Sequence, residues 1–455
     1  MYDVCIIGGG PGGYAAAIRS AQLGRKSVLI EVDEMGGTCV NRGCIPTKIW
    51  GQAAELYHRL ARAEEFGVTA TLEGVDLKKI VERKDGVAAE IRMGMEALLQ
   101  NNGVEVIKGH ANLVSPQAGA VNGDTLDTRS IIIATGRSTR KPEIIGAELI
   151  ETINQLLNWE SLPASVLIWG GEPWCIEAAN IFSVFGVEVY LATSEPRLLP
   201  REDRDTGQRL KQGLQNQGME VITKTLLSKV EKSGAGYQAT LTGKKDRIVE
   251  VEKIICGTRT PNIEKLGIEA VGLACNRDGG INVDENLQTN INGIYAVGDV
   301  TGGWMLSHVA SSMAIVAAEN AMGQRKAYPF HLIPRALWTL PQVGAVGMSE
   351  EDAEKKGFEI EVGNFPYAVN GLAMAENRVE GSVKIITDTE YNDILGVHIV
   401  GENATELIGE AVLAMQLECT ADELAAGIRV HPTYSEAIVD SARDVLNWAL
   451  YLPKA

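Results

Sequence analysis

Between an apolar run, Tyr2–Ile7, and a helix-like run that follows it lies Gly8-Gly9-Gly10-Pro11-Gly12-Gly13. This turn limits the fold more than any other stretch of the chain. It contains G-x-G-x-x-G, and the next apolar run, Ser27–Glu31, closes on an acid. Each part has a physical task. Gly8 permits a tight turn, Gly10 lets backbone approach a pyrophosphate, and Gly13 allows close packing of helix on strand. The helix N-terminus offers partial positive charge, and Glu31 can accept hydrogen bonds from a ribose. Six glycine-rich residues alone would be a weak signal. The full order of strand, turn, helix, strand and acid predicts a βαβ dinucleotide module, and with it an α/β fold on a parallel sheet.

A second such unit begins at Ser165-Val166-Leu167-Ile168 and returns at Val189-Tyr190-Leu191, as if one module were duplicated. Residues 50–102 read as helical, 104–135 as strands of period two, and 221–256 as rich in strand formers. A long apolar helix is expected over 306–322. Beyond it, strands at 342–347, 382–388 and 394–400 mix with helices at 403–417 and 434–449. With 455 residues, 45 % of them hydrophobic, the chain can bury about three cores of ordinary size.

A net charge of −17 would repel a phosphate backbone, which argues against nucleic acid as a partner. No apolar run approaches a membrane span, and the first strand starts at once without a basic leader. The expectation is a cytoplasmic protein with no membrane span. Seven cysteines, odd in number and scattered, fit reduced thiols. Cys5, Cys256, Cys275 and Cys419 read as small core residues.

Cys39 and Cys44 depart from that scatter. Five residues apart at the start of a helix, they can close a small disulfide ring. The helix N-terminus, Arg42 and Lys48 would favour a thiolate there. Two unpaired structural cysteines, or part of a metal site, are the other readings. A metal needs two more ligands at fitting spacing, and none is nearby, so no metal is expected.

The segment Gly36-Gly37-Thr38-Cys39-Val40-Asn41-Arg42-Gly43-Cys44-Ile45-Pro46-Thr47-Lys48 resembles the redox-active disulfide motif of the pyridine nucleotide–disulfide oxidoreductases. Within that family it is most like the dihydrolipoamide dehydrogenases. Thr135-Gly136, Gly298-Asp299 and His431-Pro432-Thr433-Tyr434-Ser435-Glu436 match further family motifs in the expected order, so the resemblance spans the chain. It implies two Rossmann-like dinucleotide-binding domains, one of FAD type and one of NAD type, plus a C-terminal α+β dimerisation domain. The expected division is 1–143 for the first part of the FAD domain and 144–265 for the NAD-type domain. Residues 266–332 would form the central part and 333–455 the interface.

Site residues follow from the same resemblance. Gly8, Gly10, Gly13, Glu31, Gly136 and Asp299 would hold FAD. Cys39 would meet the dithiol, and Cys44 would lie beside the flavin with its thiolate in a charge-transfer pair. Lys48, partnered by Glu177, would stand next to the flavin ring. His431 and Glu436 would be a base and its orienting carboxylate, reaching the disulfide from the partner subunit of a homodimer. The chemistry suits the set: a dithiol must lose protons to attack a disulfide, and an imidazole held by a carboxylate can take one near neutral pH. The implied substrate is a lipoyl group, free or on a carrier protein, or another small dithiol or disulfide.

The second turn departs from the family. Placing Glu177 in register puts Gly170 and Gly171 at the first two turn positions. Glu172 and Cys175 then occupy the next two glycine positions, and Ala192 stands where a ribose-binding acid belongs. Pro173 removes an amide hydrogen from the turn. Trp174 is expected either to cover the flavin face where nicotinamide would stack or to pack between helix and sheet. Arg197 reads as a solvated loop charge. The leading expectation is therefore a flavin-dependent dithiol/disulfide oxidoreductase with use of NAD or NADP altered or lost, and a protein electron carrier or similar partner in its place. An ordinary NAD-dependent dihydrolipoamide dehydrogenase is one alternative, and a non-catalytic flavoprotein subunit of a lipoyl-bearing complex is another.

Overall fold

A computed structural model describes residues 1–453. The first βαβ unit is β1 (Tyr2–Ile7), α1 (Pro11–Gln22) and β2 (Ser27–Glu31). β1 lies between β2 and β3 (Asp124–Ile133), parallel to both, and Glu105–Lys108 extends the sheet beyond β2. Strands of a parallel sheet covered on both faces read as unbroken apolar runs, and Val4, Cys5, Ile6 and Ile131–Ile133 are all fully buried. A late strand, Ile294–Ala296, adds parallel to β3, so residues far along the chain complete the first domain.

The segment expected to be helical over 50–102 is two helices. α2 (Cys44–Ala61) ends before a short 3₁₀ turn, and a further helix spans Leu77–Asn101. Gly67 caps the turn in the left-handed region, and the Asp76 side chain accepts from the Lys79 amide to start the second helix.

The second unit repeats the arrangement with β4 (Ser165–Trp169), α3 (Pro173–Val184) and β5 (Glu188–Ala192). Its five-stranded sheet is parallel and runs Glu220–Ile222, β5, β4, Lys253–Cys256, Glu151–Thr152. A three-stranded antiparallel sheet, Leu226–Ser233 to Arg247–Val251, accounts for the strand-rich stretch. α4 (Ser307–Ala321) packs on α1. The C-terminal part is an antiparallel five-stranded sheet covered by Ala404–Gln416 and α5 (Glu436–Val445). The last helix thus stops four residues short of its expected end. Among the described residues no helix is long and apolar enough to cross a membrane.

Candidate active site

The first turn opens a cleft of about 880 Å³ that runs from Gly8 and Glu31, past Cys39 and Cys44, to Trp174 and Trp338. Two glycines of the turn are fixed by contact. A Cβ on Gly13 would sit 1.6 Å from the Gly8 carbonyl oxygen, and one on Gly8 would sit 2.4 Å from that of Ala134. Gly10 leaves its neighbourhood open, with only Gly37 Cα at 3.8 Å from such an atom. Glu31, at the end of β2, accepts from the amides of Gly9 and Asp33. Gly136 turns at a φ of +70° beside the cleft. Asp299 lines the same wall, and burial pushes its carboxyl up, with Arg259 3.9 Å away opposing the shift. A partly buried carboxylate with room in front of it suits a hydroxyl-bearing ligand.

Cys44 is the first residue of α2, and the Cys39 sulfur is close enough to share a hydrogen bond with it. Both cysteines are free thiols here. A hydrogen bond from Cys39 first, then one from Ser307 and the charge of Lys48, bring the Cys44 thiol down to about 6 against the effect of burial. The same pairing, helped by burial, pushes Cys39 up. One turn further along α2, Lys48 Nζ lies 2.9 and 2.8 Å from the two carboxylate oxygens of Glu177 on α3. Glu177 also accepts from the Trp338 amide at 3.0 Å, and Lys48 lies 4.0 Å from the centre of the Trp338 ring. The ion pair thus ties α2 to the helix of the second βαβ unit.

The second turn is built differently from the first. Gly170 keeps a φ of +147°, and a Cβ on Gly171 would meet the Thr193 hydroxyl at 2.7 Å. Glu172 stands just before α3, its half-buried carboxyl is raised by desolvation, and its Oε2 would lie 2.9 Å from a Cβ on Gly170. A carboxylate therefore stands in the turn that leads into the anion-favouring end of the helix. Cys175 is fully buried. A Cβ on Gly257 would come within 2.1 Å of the Cys175 sulfur and 2.6 Å of Trp174 Nε1. The missing side chain at Gly257 thus makes room for both residues. Trp174 donates to the Gly257 carbonyl at 2.8 Å and carries the Arg259 guanidinium 4.0 Å above its ring. It lines the cleft and packs against the second domain's core.

Ala192 is fully buried, paired in the sheet with Trp169 and Ile222. Arg197 is not a solvated charge: it pairs with Glu351 and donates to the carbonyls of Pro200 and Glu202, closing a loop. Cys275, expected in the core, is exposed, because it lies in a loop bridge rather than a strand interior.

His431 lies outside the cleft. Its Nδ1 is 2.7 Å from Glu436 Oε1, and Glu436 Oε2 accepts from the Thr433 amide. Glu436 opens α5, so helix and loop fix the carboxylate, while the imidazole is 74 % exposed. The structure thus brings together the cysteines, Lys48, Glu177 and the glycine turn, and leaves the dyad facing outward.

Residues 2–314 match the family described as pyridine nucleotide-disulphide oxidoreductase, and 333–442 match its dimerisation domain. The chain belongs to this family. The dihydrolipoyl dehydrogenase of Thermus scotoductus is 38 % identical, with 99 % of each chain covered. That of Bacillus subtilis is 35 % identical over 97 % of each. Among solved structures, LpdA from Mycobacterium tuberculosis superposes with a TM-score of 0.89 at 28 % identity, covering 97 % of this chain and 99 % of the other. The HOCl-induced flavoprotein disulfide reductase RclA from Escherichia coli gives 0.84 at 27 % identity, covering 96 % and 99 %.

Membership makes this chain an FAD-dependent oxidoreductase of the dihydrolipoyl dehydrogenase type. The residues present fit FAD: a turn whose Gly8 and Gly13 admit no side chain, an acid at the end of β2, and the partly buried Asp299 carboxylate lining the cleft. The sequence reading missed three contributors to this pyridine nucleotide–disulphide oxidoreductase site, Ser307, Trp338 and Gly257. No local motif marks them, since each matters through a contact distant in sequence.

Proposed function

We propose that this protein oxidises a small dithiol, with a lipoyl group as the favoured substrate, and passes the electron pair through Cys39 and Cys44 toward FAD. The observation that carries the reading is Cys44 at the N-terminus of α2, adjoined by Cys39 and by the Lys48–Glu177 pair, in a cleft continuous with the first glycine turn. Bound FAD would take the electron pair from this centre and hand it on.

The chain's own residues account for the exchange. A substrate thiolate attacks Cys39 Sγ in the oxidised centre, a substrate–Cys39 bond forms, the Cys39–Cys44 bond breaks, and its electron pair stays on Cys44. The second substrate thiol then attacks the substrate sulfur joined to Cys39, closing the product disulfide, and its proton goes to the Cys39 sulfur that is released. His431 takes the substrate's proton, and Glu436 on its Nδ1 leaves Nε2 free to do so. Because the imidazole lies outside the cleft of its own chain, it serves the centre of a partner subunit. In this reading residues 333–455 hold a homodimer together.

The family relationship and the dihydrolipoyl dehydrogenase relatives support a pyridine nucleotide as the ordinary electron acceptor. A second reading, altered nicotinamide use with another electron carrier, is favoured by Glu172 at the helix end and by Trp174 held in the cleft. One anaerobic experiment addresses both. Dihydrolipoamide is added to the FAD-loaded protein, the long-wavelength band is followed, and NAD, NADP and artificial acceptors are then offered in turn. The band is expected with the dithiol, and Cys44→Ser abolishes it. No spectral change with any dithiol would defeat the main reading. Reoxidation by NAD or NADP at micromolar levels would remove the second one.

A further inference from the structure

Ser307 is the first residue of α4, and its Oγ lies 3.1 Å from Cys44 Sγ across 263 residues of sequence. Cys44 in turn is the first residue of α2. Two helices, of 18 and 15 residues, therefore begin at one sulfur. The N-terminus of a helix carries partial positive charge from its unpaired amides, so both helices favour an anion there. A neutral thiol gains little from such a place. A thiolate gains from both helix ends, from Lys48 and from a hydroxyl donor.

The contact between serine and thiol is undirected while both are protonated, since either atom can donate. Once the sulfur is ionised only the serine has a proton to give, and its hydrogen bond becomes charge-assisted. Desolvation alone acts the opposite way and would keep the sulfur protonated.

We propose that Ser307 is a further catalytic residue of the dithiol centre: its hydroxyl donates to the Cys44 sulfur and stabilises the thiolate that leaves when the Cys39–Cys44 bond breaks. This rests on the exchange reading given above. In that step the substrate sulfur bonds to Cys39 Sγ, and the electron pair of the broken bond goes to Cys44 Sγ. The substrate's proton goes to His431, and Ser307 keeps its own. No further oxidant or reductant enters. While the centre is reduced the same hydrogen bond holds Cys44 as the anion at neutral pH.

The test uses FAD-loaded protein in a Cys39→Ser background, where Cys44 is the one thiol of the pair. The long-wavelength thiolate–flavin band is titrated with pH for the Ser307 parent, Ser307→Ala and Ser307→Thr. Losing a hydrogen bond to a charged sulfur is expected to raise the midpoint by about one pH unit in Ser307→Ala. Threonine, which keeps the hydroxyl, should titrate like the parent. A packing role alone would not separate alanine from threonine in this way. If Ser307→Ala titrates at the parent midpoint, the role of Ser307 is overturned while the dithiol reading stands. If Ser307→Ala fails to retain FAD, Ser307→Val takes its place, with the shape of threonine and no hydroxyl: a midpoint above that of Ser307→Thr supports the role, and an equal one overturns it. Absence of the band at every pH in the parent would overturn the reading of the centre, and this inference with it.

Discussion

The charge state of one sulfur organises the residues around the cleft. Lys48 acts on Cys44 as a nearby positive charge, and Glu177 opposes it as a negative one. Their effects on the thiolate must therefore have opposite signs. Removing Lys48's charge makes the Cys44 thiol a weaker acid, so in Lys48→Met the band appears at higher pH than the parent's midpoint. At a pH just above that midpoint the variant shows less thiolate, and at alkaline pH the two converge. Glu177→Gln should shift the midpoint down instead. Spectral titration of both variants checks the pair, and shifts of the same sign would refute the account. Lys48→Met also strands a carboxylate that is only 6 % exposed, leaving it the Trp338 amide. That should cost about 1–3 kcal/mol of stability, measurable by thermal unfolding. Glu177 was legible from its place in register. Trp338 was not, because its contribution is a backbone amide that any residue could supply.

Two elements carry the cleft, and each offers a contrast in size. In the turn before α1, Gly13→Ala drives a methyl into the Gly8 carbonyl, which has no flexible end to yield. The expected result is protein without flavin and a loss of ~3 kcal/mol or more, read from the flavin-to-protein absorbance ratio and a denaturant midpoint. Between α2 and α3, Trp50 is fully buried with its ring 5.7 Å from that of Phe182, yet its indole nitrogen finds no partner among the described residues. Trp50→Phe should therefore unfold close to the parent, while Trp50→Ala loses about 3–5 kcal/mol through the cavity. Equal losses in both variants would show that the indole nitrogen matters after all. The two βαβ units were readable because glycines at fixed offsets have one steric use, and buried strands leave unbroken apolar runs. The break after Ala61 was not, since charged helical spacing continues on both sides of a glycine-capped turn. At the second turn the sequence showed what was missing from a nucleotide site. Only the fold showed what fills it: the Glu172 carboxylate at the helix end, with Cys175 and Trp174 sharing the space left by Gly257.

For the molecule as a whole, the dyad and the cysteines belong to different surfaces of one chain. His431 is held by Glu436 on the C-terminal domain and exposed, whereas Cys39 and Cys44 line the cleft of the first domain. A dimerisation domain provides the means to bring the two together between subunits. If the proposed base works in trans, each active centre takes its cysteines from one chain and its histidine from the other. His431→Ala should then lower turnover by about 10²–10⁴-fold, the usual worth of a general base. Cys44→Ser should abolish it. Mixed by unfolding and refolding together in equal amounts, the two dead variants form hybrids in half of the dimers. In each hybrid one centre has both defects and the other has none. One quarter of the parent's turnover should return, with the dithiol's KM unchanged. A base acting in cis predicts no recovery, since every centre would keep one defect. Unmixed variants refolded separately and then combined provide the control, and should stay inactive until subunits exchange.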